Sequence, residues 1–580
     1  MDPITAEIIS SVFRSIVEEM GFALIRSAYS TNIKERRDCS CAVFDPDGGL
    51  IALAEHIPIH LGSMQGLMCH VLKKKPDLLF EEGDVLAAND PFHGGGSHLP
   101  DVTLIKPVFY KGRLAAFVAD IAHWSDVGGQ SPGGGTAGSS REIYQEGLRI
   151  PPTFVIKKGK LREDVFEILL LNMRNREERE GDFRAQTASL ELGEKRVKSL
   201  FQRHGFSLVY RGIQEEYDYS ERMLRNSLRE IPEGTFAFSD VMDDDGVGKK
   251  PLRIRVAVTI RHGSKPSIHF DFRGTDLQSS GGINMVYSAL MATVLYTVKV
   301  LAAPEVFLNQ GFARPIYIHA EKGSLVNAVE PAAVGGRTDT CQRVVDAVLG
   351  AMFRVIPEKV VAASNGATTA VIFGGTKDIS GYDFVYVEAL GGGMGARYGK
   401  DGADGVQVHI TNTSNLPIES MEMEYPLRVL RYGLIPDSGG PGKFRGGMAI
   451  RKDILALKPL LFSSHSDRHV FVPWGFKGGK PGEKGFFHIF LQGRFKKKIP
   501  SKINGYLIKK GDVLSAGTAG GGGFGNPLER DEDKVIRDVI QGRVSRQKAH
   551  AEYGIVIRKN GKIDRTATKK ERAQKRAGKN

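Results

Sequence analysis

The chain has 580 residues, of which 41% are hydrophobic and 25% are charged, as is ordinary for a folded globular protein. Most of its net charge of +13 lies in the C-terminal segment, where ten Lys or Arg and two acids occur from Arg558 onward. Because no nucleic-acid-binding motif accompanies this segment, the charge does not indicate nucleic-acid binding. The chain shows no N-terminal signal pattern and no apolar stretch of roughly 18 residues. Its four cysteines form no Cys-x-x-Cys and no disulfide framework. We therefore expect a cytoplasmic protein with neither a membrane nor a nucleic acid as partner.

The periodicity of apolar residues predicts an α+β chain of several layers. It begins with a helix over residues 3–28, in which Pro3 suits the first turn. Strands are predicted at 40–44 and 50–53 around an Asp-Pro-Asp-Gly-Gly turn, then a helix at 60–72. Further strands at 85–88, 102–110 and 114–121 follow, and Tyr-Lys-Gly-Arg forms a hairpin turn between the last two.

The remainder of the chain divides into helical and β-rich stretches. Helices are predicted within 166–205 and at 210–230, strands at 253–261 and 266–274, helices at 289–301 and 339–353, short strands over 360–514, and helices at 531–542 and from 545. The predicted regions are a metal-site region (1–160), a helical segment (161–231), an α+β middle domain (232–359), a β-rich domain (360–530), C-terminal helices (531–557) and a basic tail (558–580). We expect the tail to stay mobile, because it lacks apolar periodicity.

Glycine is unusually frequent: 69 of the 580 residues are glycine, whereas roughly 7% of residues is typical. Many single glycines are expected to be tight turns, but runs of glycine suit places where backbone approaches a ligand or another chain closely. The runs at 439–442 and 520–525 could present backbone amides to an anion. Neither matches a nucleotide-binding motif, so no nucleotide site is predicted in this chain. The loop over 128–140 is a candidate lid.

Two His/Asp pairs carry the chemistry: His98-Leu-Pro-Asp101 and Asp120-Ile-Ala-His123. Antiparallel pairing about the hairpin turn places residue 101 beside residue 122, within one register step. Four nitrogen and oxygen ligands can thus converge, and without thiolates they suit a catalytic divalent metal better than a structural one. The alternative is that these are ordinary loop residues.

Nearby residues leave alternatives open. Asp126 either accepts the second ring hydrogen of a metal-bound histidine or caps its own loop. His56 and His60 are interpreted as pocket or core residues, because Pro58 between them breaks the helical geometry of a metal pair. No Gly-x-Ser-x-Gly elbow is present, so a metal-activated water is the more economical hydrolytic agent.

The segments 89–101, 119–129 and 144–152, followed by 181–186, 437–447, 467–469 and 520–527, resemble the hydantoinase B family in the same order. The resemblance covers about residues 1–557. The family includes the B subunit of N-methylhydantoinase, the matching half of 5-oxoprolinase, and the α subunits of acetone and acetophenone carboxylases.

The resemblance implies an ATP-dependent hetero-oligomer that opens cyclic amides. A hydantoinase A-like partner with an actin-like fold would bind ATP and phosphorylate the carbonyl oxygen, and this chain would complete the hydrolysis at zinc, manganese or iron. The family's metal pocket maps onto Asp38, His98, Asp101, Asp120 and His123. Five candidates exceed the usual number of direct ligands, so we expect one carboxylate not to bind the metal directly. It would act as a base or bind one of the metal ligands, and Asp120 is the first candidate.

In this hypothesis His123 acts at the metal and Asp120 or Asp126 moves the proton. Two alternatives remain. One is the α subunit of a ketone carboxylase that uses bicarbonate at the same metal. The other is a non-catalytic scaffold whose metal ties loops together for the partner ATPase.

Overall fold

The computed structural model describes residues 2–54, 56–74, 78–133 and 139–577, and it has the predicted α+β architecture. The N-terminal part is a seven-stranded antiparallel sheet in the order β2-β1-β5-β4-β3-β6-β7. Its strands are β1 (Cys39–Phe44), β2 (Leu50–Leu53), β3 (Val85–Ala88), β4 (Asp101–Tyr110), β5 (Arg113–His123), β6 (Thr153–Lys157) and β7 (Lys160–Leu161). Its helices are α1 (Pro3–Ser27), α2 (Thr31–Lys34) and α3 (His60–Lys74).

The predicted hairpin is confirmed as β4 and β5. Asp101 pairs with His123 and Val102 with Ala122, one step from the predicted pairing of residues 101 and 122. A register shift between Val108 and Phe109 supplies the missing step. The central strands β1, β4 and β5 are largely buried, so the sheet forms part of the main core.

The middle of the chain packs helices beside a second sheet. It contains α4 (Glu163–Leu171), α5 (Arg176–Arg229), β8 (Gly234–Met242), β9 (Leu252–Arg261), β10 (Ser267–Asp271), α6 (Tyr287–Ala302), α7 (Gln310–Ala313), β11 (Ile316–His319) and α8 (Arg337–Met352). The expected break near residue 205 is a kink in α5, where Gly205 has φ 71°, a conformation that glycine adopts without strain. The sheet order is β11-β10-β9-β8.

The β-rich part contains two further sheets, in the orders β13-β12-β16-β19 and β14-β15-β20-β17-β18. The elements are β12 (Ala370–Gly375), α9 (Lys377–Ser380), β13 (Phe384–Ala389), α10 (Ile418–Glu424), β14 (Leu427–Leu434), β15 (Ile450–Ala456), β16 (Leu460–Ser464), β17 (Phe486–Leu491), β18 (Arg494–Lys498), β19 (Ile503–Ile508) and β20 (Asp512–Gly517). A second hydrophobic core lies between these sheets.

The glycine runs of this part bind one another rather than an anion. The amide of Gly440 donates to Gly521, the amide of Gly521 to Gly447, and that of Gly523 to Lys480. Because these amides are already used, the expectation that the runs cradle an anion is wrong. Their glycines are required by close backbone approach: a Cβ on Gly521 would lie 2.1 Å from the carbonyl oxygen of Met394.

The chain ends in α11 (Glu532–Ile540), α12 (Arg546–Tyr553) and α13 (Arg565–Ala577). The expectation of a mobile tail is therefore wrong for residues 565–577. The guanidinium of Arg572 donates to the carbonyl oxygens of Tyr553 and Arg530, and Thr568 is buried. This helix is held by hydrogen bonds from basic side chains to backbone carbonyls, and the periodicity of apolar residues gives no sign of such contacts.

Two predictions concern other regions. The candidate lid at 128–140 includes residues 134–138, which lie outside the described residues. Within the described ranges, none of the helices is both long enough and apolar enough to cross a membrane.

We predict that Gly521→Ala lowers the free energy of unfolding by roughly 1–3 kcal/mol or more, because the added methyl overlaps fixed backbone. Gly433→Ala is the matched control, since a Cβ there meets no described atom within 4 Å. Thermal and urea unfolding of both variants provide the measurement, and equal stability of the two would contradict the packing described here.

Candidate metal centre

His98, Asp101 and His123 converge at the open end of the β4–β5 hairpin. Each offers one donor atom, these atoms lie within 4.8 Å of one another, and all three residues are buried. Asp101 begins β4 and His123 ends β5, so the strand register sets them side by side. His98 lies in the turn before β4, where its carbonyl accepts a hydrogen bond from the Asp101 amide. The turn needs glycine at 96, because a Cβ there would lie 2.6 Å from the Asp101 carbonyl oxygen.

Asp101 is held as a carboxylate by donors from the turn before β4 and from the start of α8. Its Oδ1 lies 3.0 Å from Nε2 of His98. Its Oδ2 accepts from the hydroxyl of Ser97 at 3.0 Å and from the guanidinium of Arg337 at 2.9 Å. Burial opposes ionisation, but His98, Arg337 and these hydrogen bonds outweigh it and hold the pKa of Asp101 well below its usual value.

The two imidazoles are neutral near pH 7. Burial and then the charge of Arg337 lower the pKa of His98 to about 4. Burial, with a contribution from His98, lowers the pKa of His123 well below its usual value. The side-chain amide nitrogen of Asn32 lies 2.9 Å from Nδ1 of His123 and donates to the His123 carbonyl oxygen. Asn32 therefore fixes the orientation of that ring.

This set of side chains fits a divalent metal. It combines neutral imidazole nitrogen with ionised carboxylate oxygen, which suits zinc, manganese or iron. Nδ1 of His98 is buried and has no hydrogen-bond partner among the described residues. A buried polar atom of this kind requires an explanation such as a bound ion or water.

Asp38 lies beside this group. Nε2 of His60 lies 3.8 Å from Oδ1 of Asp38 and 3.7 Å from Oδ1 of Asp101. Burial raises the pKa of Asp38, and its carbonyl accepts from the His123 amide. Asp38 and His60 share the cavity described below, whereas His56 lies elsewhere, near Glu18.

Asp120 lies on the other side of the sheet. Successive strand residues face opposite sides, so residues 120 and 123 of β5 point apart. Oδ1 of Asp120 accepts from Gln186 of α5, and burial raises its pKa well above the usual value. The sequence suggested a convergence of four residues, and the structure brings together three of them, His98, Asp101 and His123. The spacing of three along β5 turns Asp120 to the other face.

Asp126 caps its own loop. Its two oxygens accept from the amides of Gly128, Gly133 and Arg174 and from the Arg174 side chain. These bonds correspond to the loop-cap alternative and leave Asp126 without a described contact to His98 or His123.

The sequence did not single out three contributions from distant segments. Arg337, at the start of α8, binds Asp101 and Ser97. His465 lies beside them, with Nδ1 3.1 Å from Oδ2 of Asp339. The carboxylate of Glu388 is bound by Lys452 at 2.7 Å and lines the same cavity. No motif around Arg337, Glu388 or His465 indicates that they join this site. Only the fold brings them to the hairpin, because all three lie far from it along the chain.

The group forms one wall of a small buried cavity of about 60 Å³. The cavity lies where the N-terminal sheet, the start of α8 and the β-rich part meet. Its other walls are formed by Arg36, Asp38, Ile57, Ile59, His60, Arg337, Thr338, Thr368, Ala370, Val387, Glu388, Ala389, Thr411, Thr413 and His465.

A family model described as hydantoinase B/oxoprolinase matches residues 2–527. The chain belongs to this family. It is 34% identical to the B subunit of a putative D-/L-hydantoinase from Pseudomonas sp. (strain NS671), over 97% of each chain. The crystal structure of the ATP-dependent caprolactamase from Pseudomonas jessenii matches 99% of this hydantoinase B-type chain and 100% of that chain, with TM-score 0.91 and 31% identity.

The nucleotide-free structure of acetone carboxylase matches all of this chain and 83% of that chain, with TM-score 0.91 and 19% identity. At that identity the likeness shows a shared fold alone. The predicted family resemblance is thus confirmed, while the reaction is a separate question.

We predict that His98→Ala and Asp101→Asn each reduce affinity for divalent metal by more than about tenfold, since even partners behind a ligand contribute that much. Asp120→Asn is the matched control, because its carboxyl lies on the opposite face, where it accepts from Gln186. Elemental analysis of purified chains gives the metal content. Loss of metal from Asp120→Asn with retention by Asp101→Asn would show that the group is wrongly assigned.

A second prediction concerns pH and Glu146. This buried side chain accepts from the amides of Val334 and Gly335, just before α8, and burial raises its pKa from 4.5 to about 8. Between pH 4.5 and about 8, Glu146 is protonated in the folded state and ionised in the unfolded state. Its contribution to the free energy of unfolding is therefore complete below pH 4.5 and falls as pH rises toward 8. The slope is at most about 1.4 kcal/mol per pH unit. Glu146→Gln should flatten the pH dependence of the unfolding midpoint, and an unchanged slope would count against it.

Proposed function

We propose that this chain is the catalytic B-type subunit of an ATP-dependent enzyme that opens cyclic amides. The observation that carries the proposal is the buried His98–Asp101–His123 group in a family member. Its full-length similarity to a putative hydantoinase component and to a caprolactamase supports the substrate class. ATP would be bound by a hydantoinase A-like partner subunit, and the four free cysteines suit a reducing cytoplasm.

His98, Asp101 and His123 would hold the metal, with Asp38 as a further candidate ligand through its position beside His60. When bound, a divalent ion here supplies a Lewis acid and lowers the pKa of water toward neutrality. The residues prepare this site without it: Arg337 and Ser97 keep Asp101 ionised, burial keeps both imidazoles neutral, and Asn32 orients His123.

ATP is needed because an amide is stabilised by resonance, and phosphorylation of the carbonyl oxygen makes cleavage of its C–N bond favourable. The chain must then accept a proton from the attacking water. Asp120 and Asp126, the proposed proton carriers, do not line the cavity. With Asp38 assigned to the metal group, Glu388 is the cavity carboxylate available as the base.

The test is coexpression of this chain with its presumed ATPase subunit, followed by a screen of hydantoins, 5-oxoproline and lactams for substrate-dependent ADP release and ring opening. We expect ring opening that needs both subunits and bound metal. Product formation that requires bicarbonate would instead identify a ketone carboxylase.

Two variants sharpen this test. Asp101→Asn should remove metal and ring opening together. Glu388→Gln should retain metal but lower kcat by about 10²- to 10⁴-fold, the usual contribution of a proton-transfer group. Full turnover by Asp101→Asn in the folded complex would favour a scaffold over a catalytic subunit, and circular dichroism of each variant provides the folding control.

A further inference from the structure

Arg36 is a buried cation that forms no ion pair with the described residues. It lies between α2 and β1, is 3% exposed and lines the cavity beside the metal group. Its Nη1 donates to the carbonyl oxygen of Val387 at 2.8 Å and contacts the side chain of Asn32. Among the described residues no carboxylate forms an ion pair with it, and its Nε has no hydrogen-bond partner. Burial of an unpaired charge is strongly unfavourable, so a ligand that supplies negative charge is expected.

Three threonines on the same cavity also lack partners. Thr338, Thr368 and Thr413 are each less than 9% exposed, and within the described part of the chain their hydroxyl oxygens accept and donate no hydrogen bond. Buried hydroxyls are normally bonded. Thr411 of the same cavity shows the contrast, since its hydroxyl is bonded to Gln407 and to Gln342.

Arg36, Thr338, Thr368 and Thr413 all line this cavity. Arg36 and Thr413 are neighbours, because the amide of Ser414 donates to the Arg36 carbonyl at 3.0 Å. Thr338 lies in the first turn of the 16-residue α8, whose N-terminal end favours negative charge. Three acids line the cavity: Asp101 pairs with Arg337, Glu388 pairs with Lys452, and Asp38 lies 3.8 Å from His60. Among the described residues none of the three forms an ion pair with Arg36.

The donors fit a small oxyanion. The cavity is small, about 60 Å³, and the guanidinium and the three hydroxyls lie on its wall. A phosphoryl group offers three acceptor oxygens, enough to meet one guanidinium and several separate hydroxyls, whereas a carboxylate offers two.

We propose that Arg36, with the hydroxyls of Thr338, Thr368 and Thr413, forms a subsite for the phosphoryl group of the activated substrate. The source of this group rests on the proposed function. Inorganic phosphate released by the reaction has the same chemistry and is bound by the same donors. The subsite holds the phosphoryl oxygens beside the His98–Asp101–His123 group. The former carbonyl carbon of the activated substrate, which is joined to phosphorus through the bridging oxygen, then faces that group.

The experiment is calorimetric titration of the metal-loaded full-length chain with inorganic phosphate and, in parallel, with acetate. Arg36→Met should weaken phosphate binding by at least about tenfold, the effect of a lost charged hydrogen bond. Thr413→Val and Thr368→Val should weaken it severalfold without lowering the unfolding temperature, because their hydroxyls have no partner in the described part of the protein. Metal content is measured for every variant.

Two control variants match these. Thr411→Val removes a bonded hydroxyl of the same cavity, so it should lower the unfolding temperature and leave phosphate affinity unchanged. Arg37→Met removes the neighbouring guanidinium, which does not line the cavity, and should change neither. If Arg36→Met does not fold, the threonine variants decide, because they preserve shape.

Unchanged phosphate affinity in Thr368→Val and Thr413→Val at full metal content would overturn the proposal. Acetate binding as tight as phosphate binding, with equal losses in the variants, would overturn its assignment to a phosphoryl group. Phosphate binding that depends on these residues supports the subsite even in a complex that opens no cyclic amide. That combination would refute the proposed function alone.

Discussion

The pairing of Asp101 with His123 across β4 and β5 is the constraint on which the site depends. In an antiparallel pair, a slip of one residue turns each side chain to the opposite face. With the observed register, one imidazole and one carboxylate share a face, and the turn before β4 adds His98. The buried strands around the hairpin strongly favour this register. The site is therefore built at the ends of the buried central strands of the N-terminal sheet.

Helix α8 connects this sheet to the rest of the chain. Arg337 binds Asp101 across 236 positions of sequence. Along the same helix, Asp339, Arg343 and Asp346 pair with His465, Asp467 and Arg468. Ion pairs this deeply buried add little net stability, but removal of one partner leaves a costly unpaired charge. These three pairs along α8 therefore fix the position of the β-rich part against the cavity.

Because three parts of the chain enclose it, the cavity combines groups with different tasks. The N-terminal sheet supplies the metal group, α8 supplies the arginine that keeps Asp101 ionised, and the β-rich part supplies Glu388 and two of the unpartnered threonines. A cavity assembled this way holds its side chains in place before any ligand binds, which lowers the cost of orientation. The glycine runs allow backbone segments of the β-rich part to pack closely, as where Gly521 meets the carbonyl oxygen of Met394.

The sequence by itself determined the helices and strands, the hairpin with His98, Asp101 and His123, and the family. Local periodicity and turn residues encode each of these. It grouped Asp120 with the other three residues, although a spacing of three along one strand turns Asp120 and His123 to opposite faces. It also treated residues 565–577 as mobile, although a helix there binds distant carbonyls. Tertiary structure alone revealed Arg337, His465, Glu388 and the unpaired Arg36. Their roles arise from contacts between segments far apart in the chain, and no local pattern records such contacts.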